Sequence, residues 1–456
     1  MEKLDQSGVQ NRGEVIFNLE GVPPMRQVVP LGLQHVVAAI VGVVTPALLV
    51  SNTCGLNGQD TTLLVQISLI ITALATILQT FGFGIFGGRV PIVMGVSFAY
   101  VPTLLAIGGQ FGLPVILGAQ IAGGLVAIVI GLFVKQLRVL FPSTVTGTVI
   151  FTIGLSLYPI AIRYMAGGAG APDFGSPRNW LVAIITLVTV ISLNFFAKGI
   201  LKLASILCGM LVGYAAAFSL NMIDFSPIVN AGWFQVSTPL HFPIRFVPAA
   251  CISMSVMFIV NSVQTIGDVT STTVGGLDRE PTDRELRGGI LCQGIMSVLG
   301  ALVGGLPTAS YSQNVGIITV NRVINRMVFG FACLVLLIAG FIPKFAAVLT
   351  TIPQCVIGGA TVSVFATITM TGIRMITSKP LTFRNITVVG ISVALGVGIT
   401  TVPGCLAVAA QGTAAGAWEV FPSWVPTVFG SSSVVIAAIS AILLNKVLPN
   451  DKPAES

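Results

Sequence analysis

The sequence predicts an all-α integral membrane protein of fourteen transmembrane segments, arranged as two inverted repeats of seven. Three observations carry this reading. Of 456 residues, 54% are hydrophobic and 8% charged, with a mean hydropathy of +0.96; soluble domains carry about 25% charged residues. Apolar runs of roughly 17–25 residues, each long enough to cross a bilayer, recur from near Val28 to the C-terminus with short loops between them. The third observation is a distant self-similarity. Pro142-x-x-Val145-x-Gly147 returns 211 residues later as Pro353-x-x-Val356-x-Gly358, and the same shift lays Ser97-Phe98-Ala99-Tyr100 on Thr308-Ala309-Ser310-Tyr311. An odd number of spans per copy makes the second copy enter from the opposite side.

In chain order, a polar and partly charged leader occupies 1–27. It lacks the short basic start and small-residue cleavage site of a secretory signal, so it is expected to stay on the protein. The first repeat, 28–222, holds spans at 28–50, 63–82, 94–107, 113–134, 143–162, 179–196 and 200–222. The second, 246–448, holds spans at 246–267, 286–305, 308–321, 328–348, 352–373, 385–403 and 431–448, and a tail follows at 449–456. The longer loops are 163–178, 223–245 and 404–430; the last contains an apolar stretch, Leu406 to Ala415, expected at the membrane interface. With the N-terminus placed inside, eighteen of the 22 Lys and Arg residues fall on the cytoplasmic side. Only Arg163, Arg178, Arg245 and Lys344 fall outside. That bias predicts this orientation, with both ends cytoplasmic and the lipid bilayer as the surrounding partner.

The net charge of +7 is scattered among loops rather than gathered on one face, which argues against a nucleic-acid partner. The seven cysteines are odd in number and scattered, with no CxxC or Cys/His spacing, so they read as packing residues and no metal site is expected. No Walker A motif, GxSxG, HExxH or paired-carboxylate arrangement occurs, which argues against an ATP-driven or enzymatic role. The mixed charges from Asp278 to Arg287 read as a solvated cytoplasmic loop.

The segments 94–107 and 308–321 are the poorest spans. They are short, rich in Gly, Ser and Thr, and carry Pro102 inside or Pro307 just before them. Freed backbone groups at membrane depth need partners within the protein, so neither segment can be a lipid-facing helix. Paired, broken segments at equivalent places point to a transport site at the midplane between the halves. The second of them carries Tyr311-Ser312-Gln313-Asn314-Val315-Gly316. A carboxamide is uncharged but offers two donors and an acceptor, and its burial is costly unless neighbours, water or a ligand satisfy it. A flat, hydrogen-bonding solute is the expected ligand. His35 in the first span either hydrogen-bonds a neighbouring helix or shapes the site. Asn261, Gln264 and Asp268 lie at i, i+3 and i+7 on one helical face, a second candidate wall, unless Asp268 merely begins a loop. Gln293 is a further buried carboxamide.

From Gln313 to Arg322 the sequence resembles the signature of the nucleobase–ascorbate transporter family, which runs Gln/Glu/Pro, Asn, any residue, Gly, four of any kind, Thr, then Arg, Lys or Gly. Gln313, Asn314, Gly316 and Arg322 match, and Asn321 stands in place of Thr. The resemblance extends to Phe17-Asn18-Leu19-Glu20-Gly21-Val22-Pro23-Pro24, Gln34-His35, Thr45-Pro46-Ala47-Leu48-Leu49, Gly267-Asp268-Val269-Thr270, Arg287-Gly288-Gly289 and Ile352-Pro353. It implies a core and a gate domain, short strand-plus-helix elements in spans 3 and 10 facing each other at the substrate, dimerisation through the gate domains and a place in the cytoplasmic membrane. Carried over by position, Gln313 would hydrogen-bond a purine base such as xanthine or uric acid, with Asn314 supporting it. Phe98 would stack on or cap the ring beside Ser97, and His35, Gly316, Asn321 and Arg322 would support the site.

Two departures matter. The family's substrate-binding Glu falls at Gln264 and an Asp of span 9 falls at Gln293, and neither amide can titrate. Asp268 is then the one acidic residue near the site. No cofactor is expected beyond a coupling ion, either H+ or Na+, and uncoupled exchange is a third option. The alternatives are a carrier of uracil or another nucleobase, an uncoupled facilitator, and an inorganic anion exchanger of the same architecture. The last would need a fixed cation near the short segments, and none occurs in 94–101 or 308–316.

Overall fold

The computed structural model describes residues 15–134, 142–168, 170–235, 238–402, 405–406, 425 and 432–449. Most of the apolar stretch after Leu406, much of the leader and nearly all of the tail lie outside the described residues. The first half contains α1 (Met25–Thr53), α2 (Gly58–Phe81), strand β1 (Met94–Val96), α3 (Val101–Phe111), α4 (Leu113–Leu132), α5 (Ser143–Met165), α6 (Pro177–Phe196) and α7 (Ser205–Ser219). The second contains α8 (Pro248–Leu277), α9 (Asp283–Val303), strand β2 (Thr308–Ser310), α10 (Ser312–Asn321), α11 (Arg326–Phe341), α12 (Pro343–Thr350), α13 (Gln354–Ile376), α14 (Phe383–Thr401) and α15 (Ser433–Val447). Among the described residues nine helices are long and apolar enough to cross a membrane, and α11 with α12 forms a further segment bent by 83°. The two strand-led segments and the short apolar helices α7 and α15 complete fourteen. The protein is a multi-pass membrane protein.

Local chemistry sets the ends of these elements. Asn57, Ser176 and Thr382 accept hydrogen bonds from the first turns of α2, α6 and α14. Pro142 and Pro353 occupy equivalent N-cap positions before α5 and α13, where a missing N–H costs nothing. Pro343 breaks the expected span 328–348, because its ring cannot continue α11 and instead opens α12. The expected span 200–222 is likewise divided, into a helical turn at Ile200–Leu203 and α7. The charged stretch expected as a solvated loop is partly structured: Thr282 and Glu285 form a reciprocal capping box, Arg279 pairs with Glu285, and helix α9 begins at Asp283. Helix α8 runs ten residues beyond its expected end, so Asp268 lies inside it and is buried.

The contacts repeat in pairs. Helix α4 packs on α8 and α9 just as α11 packs on α1 and α2; α13 packs on α6 and α7 just as α5 packs on α14 and α15. This gives a core group (α1–α4, α8–α11 and both strands) and a gate group (α5–α7, α13–α15). The closest contact within the gate group is antiparallel, between α5 and α13, and glycine makes it possible. A Cβ at Gly147 would come within 2.8 Å of the Ile376 nitrogen, and one at Gly358 within 2.3 Å of the Met165 nitrogen. These two contacts are the same contact related by the 211-residue shift, which is what a two-fold axis in the membrane plane produces. Small residues at such crossings bring two backbones together where lipid supplies no hydrophobic drive.

β1 pairs antiparallel with β2, with Met94 opposite Ser310, Gly95 opposite Ala309 and Val96 opposite Thr308. The helices that follow the two strands, α3 from Val101 and α10 from Ser312, start 211 residues apart. Helices α6 and α14 turn apolar side chains such as Leu181, Ile184, Val188, Ile391 and Leu395 outward, as a lipid-facing surface requires.

Candidate functional site

The two strands bring their following helices to one point. β1 leads through Ser97 into a 3₁₀ turn (Phe98–Tyr100) and α3, while β2 leads through Tyr311 into α10. Two tyrosines lock the junction: the Tyr311 hydroxyl donates to the Val96 carbonyl, and the Tyr100 hydroxyl to that of Thr308 at 3.4 Å, so both hold the same end of the ladder. A cavity of about 320 Å³ opens beside it, between the core and gate groups. The volume lies within the range of small-molecule sites.

Ser97, Phe98, Gln264, Gln313 and Gly316 all line this cavity. The Ser97 hydroxyl accepts from the Ala99 N–H at 3.2 Å and fixes the turn that presents Phe98. Phe98 meets Phe365 of α13 edge-on, with ring centroids 5.3 Å apart. Gln264 donates to the Ser312 hydroxyl at 3.3 Å, and its Oε1 accepts no hydrogen bond from any described residue. The carboxamide of Gln313 has no hydrogen-bond partner among the described residues either. Helix α10 starts here without a side-chain cap, so the N–H groups of its first turn and the positive end of its dipole sit at the cavity wall.

The other expected residues stand behind this wall. Asn314 is fully buried and donates to both the Nδ1 and the backbone carbonyl of His35, each at 3.1 Å. The His35 ring lies 4.4 Å from that of Phe329. Asp268 accepts from Ser310 at 2.5 Å and from Ser312 at 2.8 Å, so those two hydroxyls separate it from the cavity. Asn261 turns back to its own helix, donating to the Met257 carbonyl. Gln293 does not line the cavity: it accepts from Thr265 at 2.7 Å and donates to the Tyr100 hydroxyl at 2.8 Å, tying α8 and α9 to the first repeat. Asn321 and Arg322 lie at the far end of α10, roughly 13 Å along the helix from Ser312 at 1.5 Å per residue. Arg322 adopts a left-handed φ of 54° and pairs with Asp278 at the exposed surface.

The gate side was not visible in the sequence. Ile150 and Ile153 of α5, with Thr367, Ile368, Met370, Thr371 and Arg374 of α13, complete the lining. In an apolar helix the isoleucines and the methionine look like any packing residue. Arg374 reads from sequence only as a marker of membrane side. The finished cavity offers two amides with unused hydrogen-bonding capacity, an aromatic face, a helix N-terminus, apolar walls and one cation.

Residues 26–405 match a family described as permeases. The chain is 33% identical to uric acid permease PucK of Bacillus subtilis, over 94% of this chain and 96% of that protein. It is 30% identical to xanthine permease XanP of Escherichia coli, over 96% of each. Among solved structures, the chain resembles murine Slc26a9, an anion transporter in the inward-facing state, with a TM-score of 0.62 and 12% identity over 98% of this chain and 73% of that one. It also resembles the transmembrane domain of the cyanobacterial bicarbonate transporter BicA, with a TM-score of 0.55 and 18% identity over 76% and 93%. At such identities the two structures speak for the fold alone.

Proposed function

The chain belongs to the nucleobase–ascorbate transporter family, that of the xanthine and uric acid permeases, and on that premise we propose that it moves purine bases across the cytoplasmic membrane by alternating access around the cavity between Gln264 and Gln313. It is a permease and the bilayer is its medium. The observation that carries the reading is the Gln313 carboxamide, set at the cavity with no hydrogen-bond partner among the described residues, in a lining that includes Phe98. A purine edge alternates donors and acceptors, which suits amides better than a fixed charge. Its flat face suits an aromatic ring. Xanthine and urate also present several carbonyl oxygens, which the first-turn N–H groups of α10 would receive.

In this reading Gln313 and Gln264 bind the base edge, and Phe98 and Ser97 cover it from the other repeat. Asn314 and His35 hold the start of α10 in place from behind. The cavity reaches Arg374 at the C-terminal end of α13, the end that the Lys and Arg bias assigns to the cytoplasm, so the state described opens inward. Movement of the gate group against the core group would expose the same site to the outside. Asp268 is the carboxylate placed to sense a coupling H+ or Na+, through the two serine hydroxyls that link it to the cavity wall. A homodimer formed through the gate helices, with both termini in the cytoplasm, belongs to the same proposal.

The test is thermal stabilisation of the purified protein by a panel of xanthine, urate, guanine, uracil, sulfate and bicarbonate, since a ligand that binds only the folded state raises the melting temperature. Purines are expected to raise it and the inorganic anions to leave it unchanged. Stabilisation by sulfate or bicarbonate alone would favour the anion-exchanger alternative, and by uracil alone the pyrimidine one.

A further inference from the structure

Among the described residues that line the cavity, Arg374 is the one that carries a charge, and no acidic side chain lines the cavity beside it. It is exposed, and its guanidinium forms no ion pair or hydrogen bond with any described residue. Its neighbours on the same face of α13 cannot take its role. Thr367 and Thr371, seven and three residues before it, spend their hydroxyl hydrogens on the carbonyls of Ser363 and Thr367, each at 2.9 Å. The gate wall therefore presents acceptors and methyl groups, plus a single guanidinium with five N–H donors. On the core side, Gln264 stands where the resemblance places the family's substrate-binding Glu, and Asp268 is screened by Ser310 and Ser312. The cavity is thus electropositive, through Arg374 from the gate and the N-terminus of α10 from the core.

We propose that Arg374 is a specificity residue, a fixed cation on the gate helix that selects purines in their anionic form, urate above all, over neutral purines. The inference rests on the purine reading and adds charge selection to it. A guanidinium also matches carbonyl and oxyanion geometry bidentately, whereas a lysine would act as a point charge. An arginine in the last turn of a helix also complements the helix dipole, a purely structural role. The two roles predict different results.

The experiment is uptake into proteoliposomes at mildly acidic pH, where urate is an anion and xanthine is neutral, for wild type, Arg374→Gln and Arg374→Lys. The expected result is a rise of about tenfold in the urate KM for Arg374→Gln, the effect of losing one charge-assisted contact. The xanthine KM should rise by clearly less than the urate KM, the melting temperature should stay near wild type, and Arg374→Lys should recover part of the urate affinity. Equal changes in both KM values, or no change in either, would overturn the assignment while leaving the purine reading in place. Wild-type protein that takes up neither solute would instead remove the purine reading on which the assignment rests.

Discussion

The Asn314 carboxamide donates at once to the ring Nδ1 and to the backbone carbonyl of His35. A carbonyl oxygen can only accept, so the amide nitrogen, not its oxygen, faces the histidine. Nδ1 must then be the lone-pair nitrogen, which places the ring proton on Nε2 and keeps the imidazole neutral. The pair clamps α1 to the first turn of α10, immediately behind Gln313.

That geometry separates two adjacent amides of the motif by experiment. Asn314→Ala would remove the clamp and leave the buried His35 ring nitrogen without a donor, at a cost of about 1–3 kcal/mol. Its melting temperature should fall and its purine response weaken together. Gln313→Ala removes a side chain that no described residue holds, so its melting temperature without ligand should match wild type while stabilisation by purines is lost. Differential scanning fluorimetry with and without ligand measures both.

Gln293 is a brace rather than a ligand. Gln293→Ala would strand the Thr265 hydroxyl and weaken the hold on Tyr100, again for about 1–3 kcal/mol. Thermal denaturation should show the loss while the purine KM stays close to wild type. A large change in KM with unchanged stability would contradict this placement.

Glycine positions give a paired control. A Cβ at Gly316 meets nothing within 4 Å, whereas one at Gly358 would meet the α5 backbone at 2.3 Å. Gly316→Ala should fold normally and lower purine affinity, because the added methyl projects from a residue that lines the cavity. Gly358→Ala should separate α5 from α13 and reduce the yield of folded protein on size-exclusion chromatography.

Asn325 helps to hold the described part of the leader, beside backbone bonds from Ile324 to Ile16 and from Arg326 to Leu19 and the Arg326–Glu20 ion pair. Asn325 is buried and donates to the carbonyls of Val15 and Asn18 at 3.1 Å and of Gly21 at 3.3 Å. Asn325→Ala should free this stretch, and limited proteolysis of inside-out vesicles should then cut before Pro24 faster than in wild type.

What the sequence revealed, and what it hid, follows from the kind of signal each residue leaves. Gln313, Gln264 and the Gly-, Ser- and Thr-rich segments stood out because polarity at membrane depth demands a partner, and all of them converge on one cavity. Asp268 is ambiguous in the sequence because a bilayer needs only about 20 residues of helix. Helix α8 has 30, roughly 45 Å at 1.5 Å per residue, and carries Asp268 inside the protein. Ile150, Ile153 and Arg374 left no signal that set them apart, since their role depends on which face α5 and α13 turn towards the core.

The most direct test of the central claim is uptake of radiolabelled xanthine and urate by proteoliposomes carrying wild-type protein or Gln313→Ala, with proton and sodium gradients imposed in turn. The account predicts saturable purine uptake by the wild type, and its loss in a Gln313→Ala protein of unchanged thermal stability. Wild-type vesicles that take up neither purine, or Gln313→Ala vesicles that take them up as well as the wild type, would contradict it.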